Sequence, residues 1–179
     1  MEKEIKLVTD INELSINEFE KLINIFSKQY ETKIEEYVDI ISVISNLDID
    51  EIENLDIDEF KKLVTIANDI QIQNLNAELI SEINIDGVTY KTNVKDNTYK
   101  FTVKEITLLQ VLLVNQPSNY LADLIAIVFR EIDSDGNLIN DLSPEAIERR
   151  KEKLSTLKMK IIGPYFMSLT NFFLNKDVK

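Results

Sequence analysis

The chain has 179 residues, 44% hydrophobic and 29% charged, which suits one domain or two small, closely packed ones. It contains no cysteine and no histidine. That excludes disulfides, thiolate nucleophiles and cysteine metal sites, and removes the commonest general base and transition-metal ligand. The net charge of −12 is uneven: residues 1–86 hold 7 basic against 21 acidic side chains, and residues 87–179 hold 13 against 11. The first half would therefore repel a phosphate backbone.

The opening MEKEIKLV alternates weakly and is expected to be a short strand or a loose arm. It has no apolar stretch of the signal-peptide kind, and no apolar run reaches the roughly 18–20 residues that span a bilayer. These features point to a cytoplasmic protein without a membrane partner.

Two stretches then repeat one another. LSINEFEKLINI at 14–25 and LDIDEFKKLVTI at 55–66 agree at seven of twelve positions. In each, an N-cap residue (Ser15, Asp56) precedes by three a glutamate (Glu18, Glu59), the pattern of a capping box. Leu14 and Phe19, like Leu55 and Phe60, are placed as hydrophobic staples. A truncated third copy, LDIDEIENL at 47–55, has Asp48 as cap and Glu51 as its partner, with Leu47 facing Ile52.

The expected helices are 16–29, 33–46, 49–54 and 57–70. The first carries a stripe of Ile16, Phe19, Leu22, Ile23 and Phe26, the second one of Ile34, Tyr37, Val38, Ile41 and Ile44 or Ser45. Near residue 80 the pattern changes to β-formers around Asp86-Gly87, with a second turn at Asp96-Asn97. A hairpin or three short strands are expected across 81–103. Thr102, three before Glu105, caps a helix over 103–114.

An apolar helix at 119–131 should lie centrally in the core, and DSDGN at 133–137 forms a turn. Ser143-Pro144 starts a helix over 144–160, Ser as cap and Pro at the first helical position. Gly163-Pro164 breaks it before a last aromatic helix. The fold class is mainly α (α+β), a helical bundle with a small β-hairpin inserted near the middle. An acidic helical subdomain covers 1–78. The hairpin and C-terminal helices cover 79–179, the two packed as one unit.

The DSDGN stretch resembles a calcium loop, but the twelfth position would be Leu142, which cannot supply the bidentate carboxylate. The acids of 48–59 serve as caps and first-turn partners of the helix dipole. Three scattered glycines form no phosphate-cradling loop. No catalytic, cofactor-binding or metal residue is assigned, and no cofactor is implied. Two groups are nominated for partner binding: the basic cluster Arg149, Arg150 and Lys153, and the aromatic residues Tyr165, Phe166, Phe172 and Phe173. Each has a plainer reading. The cluster suits a solvated helix face paired with Glu145, Glu148 and Glu152, and the aromatics suit core.

The segment YVDIISVISNLDIDEIENLDIDEFKKLV at 37–64 resembles small tail-assembly-chaperone-like proteins of tailed bacteriophages. These share its apolar helix, short capped helix and D-x-x-[DE]-[FY]-x-x-L helix. The second half, with INIDGVTYKTNV, NYLADLIAIVFRE and IIGPYFMSLTNFFLN, is similar to proteins of phages of Bacteroides-type hosts, including crAss-like phages. The resemblance spans most of 14–174 and brings no catalytic residue with it. It implies a non-enzymatic morphogenesis protein made in the host cytoplasm. That protein is either a tail assembly chaperone or a small virion component (connector, ring or packaged protein). Its partners would be other phage structural or tail proteins, or further copies of itself. The alternative reading is a small cytoplasmic regulator or adaptor that uses the basic helix 144–160 to bind nucleic acid. A carboxylate-type enzyme ranks third.

Overall fold

A computed structural model describes residues 5–71, 80–95, 98–115 and 120–165. Four helices form the first half: α1 (Ile16–Ser27), α2 (Lys33–Ile44), α3 (Ile49–Glu53) and α4 (Ile57–Gln71). Their starts follow local chemistry. Ser15 and Glu18 close a capping box, with the Ser15 N–H donating to Glu18 Oε2 at 2.6 Å. Asp48 and Glu51 form another, and Thr32 with Glu35 a third that the sequence reading passed over. Asp56 Oδ1 accepts from the N–H groups of Asp58 and Glu59, both at 2.9 Å.

The repeat is structural as well as local, and it reaches further upstream than the sequence alignment. A 3-10 turn, Ile11–Glu13, precedes α1 as α3 precedes α4. The Leu14 N–H donates to Ile11 O, and the Leu55 N–H to Ile52 O. Ile11 and Ile52 are both buried.

The buried faces differ from the expected stripes. α1 buries Ile16, Glu20, Leu22 and Ile25, leaving Phe26 exposed. α2 buries Val38, Ile40, Ile41 and Ile44 and leaves Ile34 exposed. The physical reason is that these helices contact neighbours on more than one side. α2 packs against α1, α3 and α4 together, so its buried arc is wider and rotated away from Ile34.

The β element comprises β1 (Glu82–Ile85), β2 (Val88–Lys91), β3 (Val94–Lys95), β4 (Thr98–Tyr99) and β5 (Arg130–Glu131). β1 and β2 join through the two-residue turn Asp86-Gly87, both at positive φ (51° and 79°), with Ile85 opposite Val88. That backbone twist matches the strands it connects. β3 pairs with β4; the expected turn at Asp96-Asn97 lies outside the described residues.

β5 joins the sheet antiparallel to β2, in the order β1-β2-β5. The helix expected over 119–131 is therefore shorter. α6 spans Tyr120–Val128, and residues 130 and 131 leave it to pair with Lys91 and Tyr90.

α5 (Val103–Asn115) and α7 (Pro144–Leu154) complete the named helices, and α7 has Ser143 as cap with Pro144 in its first turn. α6 is buried from Leu121 to Val128 except at Asp123, and packs against α7, α5 and α1. The expected helix 144–160 is interrupted at 155–158, and helix resumes over 159–165, through Gly163 and Pro164. The break serves pairing with the start of α1: the Ile16 N–H donates to Leu157 O at 2.9 Å, and the Met159 N–H to Leu14 O at 2.8 Å. One hydrophobic cluster runs from Ile11, Leu14 and Ile40 to Ile125, Leu154 and Tyr165, across the expected 78/79 boundary. No described helix is long and apolar enough to cross a membrane.

Candidate functional site

The basic cluster of α7 is turned inward or neutralised. Arg150 is fully buried: its Nε donates to Ala126 O at 2.7 Å, its Nη2 to Asp141 O at 2.9 Å, and its Nη1 to Glu131 Oε2 at 3.2 Å. It is not a contact residue, because a guanidinium with three internal acceptors holds the α6–α7 packing together. Arg149 pairs with Glu131 at 3.2 Å, Lys151 with Asp123 at 3.1 Å and Lys153 with Asp86 at 3.1 Å. Burial pushes the Glu131 carboxyl up, but its own backbone N–H and the hydrogen bonds from Arg149 and Arg150 outweigh this and hold it below its ordinary value. The ion pairs of Arg149 and Lys153 thus reach other elements, where pairs along the helix were expected. Only Lys151–Glu148, at 3.8 Å, is of the expected i,i+3 kind in this cluster.

Tyr165 is also core. It is 1% exposed, packs edge-on against Phe129 (5.0 Å between centroids) and Tyr99 (6.1 Å), and its hydroxyl meets Thr92 Oγ1 and Ile80 O. Phe166, Phe172 and Phe173 lie outside the described residues.

A buried polar chain stands beside it. Glu105 completes the cap of α5, accepting from the Thr102 N–H at 2.6 Å. Its Oε1 also accepts from the Tyr99 hydroxyl at 2.7 Å and from Arg130 Nη2 at 3.0 Å. Burial, then the adjacent Glu105 charge, drives the Tyr99 hydroxyl far above its ordinary pKa, so it stays protonated and donates to Glu105. Arg130 Nη1 donates to Asn140 Oδ1 at 2.7 Å, while its Nε has no partner among the described residues. Through these bonds Glu105 and Arg130 brace α5 onto β5.

The DSDGN segment is a turn closed on itself: Asp133 Oδ1 accepts from the Asp135 and Asn137 N–H groups, both at 2.9 Å, and Gly136 has φ 79°. Among the described residues no group of three acids is arranged to hold a metal ion.

Among the described residues, an open groove of about 510 Å³ lies between α2, α3 and the start of α4. Its apolar lining includes Val38, Ile52, Leu55 and Phe60, and Ile34, Ile49 and Ile57 stand at its edges, 64%, 46% and 63% exposed. Tyr30, Glu35, Asp39 and Glu53 complete it. Glu35 is occupied by its capping box. Asp39 accepts from the Tyr30 hydroxyl at 2.6 Å and from Lys28 Nζ at 3.0 Å. The Tyr30 bond first, and then Lys28, keep its carboxyl below the ordinary value against burial. It therefore stays anionic near neutrality and is unsuited to act as a general acid. Around the groove, residues 28–62 hold eleven carboxylates against four lysines, Lys28, Lys33, Lys61 and Lys62. The site is an aliphatic trough on a strongly negative surface.

The sequence nominated none of these isoleucines as contact residues. The available signal was the isoleucine directly after a cap, as Ile49 and Ile57 are. Ile16 has the same position but is covered, so the signal alone does not separate core from surface.

Comparison with protein-family models, with curated proteins and with solved structures finds no match.

Proposed function

We propose that this protein works by non-enzymatic protein–protein contact, with the α2–α3–α4 groove as its binding face. We further propose that it is a bacteriophage morphogenesis protein, either a tail assembly chaperone or a small virion component. The observation that carries the contact reading is the trio of exposed isoleucines, Ile34, Ile49 and Ile57, around one apolar groove. Exposed aliphatic surface on a chain of net charge −12 is costly in water and marks a partner site when it is contiguous. An enclosed pocket would favour a small molecule. Here the aliphatic edges are themselves in solvent, which suits a peptide or protein surface. The phage assignment rests on the resemblance of residues 37–64 and of the segments between 83 and 175.

The nucleic-acid alternative loses its support in α7, whose four clustered cations are each matched to an acid. The experiment is twofold. Mass spectrometry of purified phage particles distinguishes a virion component, present in fixed copy number, from a chaperone found only in unassembled complexes. Ile34→Asp with Ile57→Asp should abolish particle assembly while circular dichroism stays that of the parent. Normal assembly by a folded double variant overturns the groove as the working face.

A further inference from the structure

Resting on that reading of the groove, the inference concerns what fills it. The chain contains two copies of one local unit: a short helix, a leucine that donates its N–H to an isoleucine three residues earlier, a cap, and an isoleucine in the first helical turn. Leu14-Ser15-Ile16 and Leu55-Asp56-Ile57 are its equivalent centres.

At the first copy the unit is covered by the chain itself. Residues 157–159 lie antiparallel to residues 14–16, with Ser15 bridged to Lys158. The Ile16 N–H donates to Leu157 O, the Met159 N–H donates to Leu14 O, and Ile16 is completely buried. The cover is cationic: Lys158 and Lys160 flank Met159, and Lys160 Nζ reaches Glu13 at 2.7 Å.

At the second copy no described residue pairs with the backbone in this way. The Ile57 N–H and the Leu55 carbonyl have no partner among the described residues, and Ile57 is 63% exposed at the groove edge. The first turn of a helix leaves its N–H groups without intrahelical acceptors, so this start can pair with an added backbone as α1 does. The surrounding charge is negative, with eleven acids against four lysines over 28–62.

We propose that residues 55–57 receive a lysine- or arginine-bearing extended segment of a partner protein. It pairs with the Leu55 carbonyl and the Ile57 N–H as residues 157–159 pair with residues 14–16. Main-chain pairing supplies register, an apolar side chain of the segment enters the groove between Ile34, Ile49 and Ile57, and the flanking cations answer the acidic rim. This is strand-type peptide recognition on a helix start, with electrostatics choosing the partner.

The test uses the full-length ¹⁵N-labelled protein and a synthetic peptide with the sequence of residues 154–160, the chain's own cover. An analogue with both lysines replaced by glutamate serves as its comparison. The expected result is amide shifts at residues 49 and 55–60. Affinity should be at least tenfold weaker for the glutamate analogue, and for the Ile57→Asp and Ile49→Asp proteins. Both substitutions fall on exposed side chains, so folding should persist. The proposal is overturned by absence of shifts at 55–60 up to millimolar peptide, or by equal binding of the glutamate analogue. It is also overturned if sedimentation shows a dimer in which a second copy covers residues 55–57. A photo-reactive residue at position 57, expressed with the whole assembly, keeps the two ideas apart. A cross-link to a lysine-bearing extended segment supports the proposal. A cross-link to a partner helix or an acidic segment preserves the groove as the binding face but overturns the proposed occupant. No cross-link overturns both.

Discussion

Glu105 and Arg130 meet at 3.0 Å with side chains 0% and 2% exposed, joining the cap of α5 to the strand that closes the sheet. Removing one partner of a buried pair leaves the other charged and desolvated, which costs about 3–5 kcal/mol. Arg130→Ala and Glu105→Ala should each destabilise on that scale. The double replacement Glu105→Leu with Arg130→Met should recover much of the loss, since apolar substitutes of similar volume are often tolerated. Urea unfolding of the three variants checks this. Single variants within about 1 kcal/mol of the parent, the usual scale of a surface pair, would show that the pair is not desolvated as described.

Glu20 gives a pH dependence of opposite sign to an ordinary surface carboxylate. It is buried on α1 and accepts from the N–H groups of Leu121 (2.6 Å) and Ala122 (3.2 Å), capping α6 from a distant part of the chain. Its Oε2 has no partner among the described residues. Burial raises its pKa above the ordinary 4.5; the two N–H groups oppose this, Asp123 adds to it and Lys151 counters it. A carboxyl whose folded pKa is raised binds its proton more tightly when folded. Its contribution is therefore most favourable below the unfolded pKa and is lost as pH rises through the folded one. Glu20→Gln keeps an acceptor oxygen without the charge. Its stability relative to the parent should rise between pH 4 and 7, as measured by denaturant midpoints across that range. A flat difference would mean that Glu20 ionises as easily folded as unfolded.

Arg149 and Arg150 are neighbours in sequence with contrasting roles. Arg150→Met removes a buried cation that satisfies two backbone carbonyls and Glu131, so a loss of about 3 kcal/mol is expected, the scale of breaking a buried pair. Arg149 is largely exposed, and Arg149→Ala should stay within about 0.5 kcal/mol, as surface changes do. Neither Arg149→Ala nor Lys153→Ala should create or remove DNA binding at low salt. Salt-dependent DNA binding lost in those two folded variants would revive the nucleic-acid reading.

Sequence legibility followed the range of the interactions involved. Ser15, Asp48, Asp56, Thr102 and Ser143 were readable as helix starts because a cap is satisfied within three residues. Asp86-Gly87 was readable because its turn requires two residues at positive φ. The Thr32–Glu35 box is local and was passed over, but most of the misreadings involve partners far along the chain. Glu20 is polar on what should be a solvent face until the N-terminus of α6, a hundred residues on, claims its carboxylate. Arg130 and Glu131 continue an apolar helical pattern until β2 offers a backbone to pair with. The break at 155–158 carries no glycine or proline and exists because the start of α1 takes up that segment. The groove was illegible for the same reason, since its distinguishing feature is a cover present at Ile16 and missing at Ile57.

That contrast yields the most direct prediction. Ile16 and Ile57 hold the same place in two copies of one motif, each directly after a cap and two before the equivalent Glu18 and Glu59. Local propensity therefore cancels when the same substitution is made at both. Ile16 is fully buried and its backbone is paired with residues 157–159, whereas Ile57 is 63% exposed. Truncating a buried isoleucine to alanine costs about 2–5 kcal/mol, through lost transfer energy and the cavity left behind, while an exposed one costs within about 0.5 kcal/mol. Ile16→Ala should thus lower the urea midpoint substantially, and Ile57→Ala should leave it nearly unchanged. In the presence of a partner bound at the groove the order should shift. Ile57→Ala should then reduce the stabilisation conferred by the partner, because binding to the folded state adds stability that grows with the logarithm of affinity. Equal losses for the two variants in the free protein would mean that Ile57 is already covered, and that the second copy has no vacancy for a partner to fill.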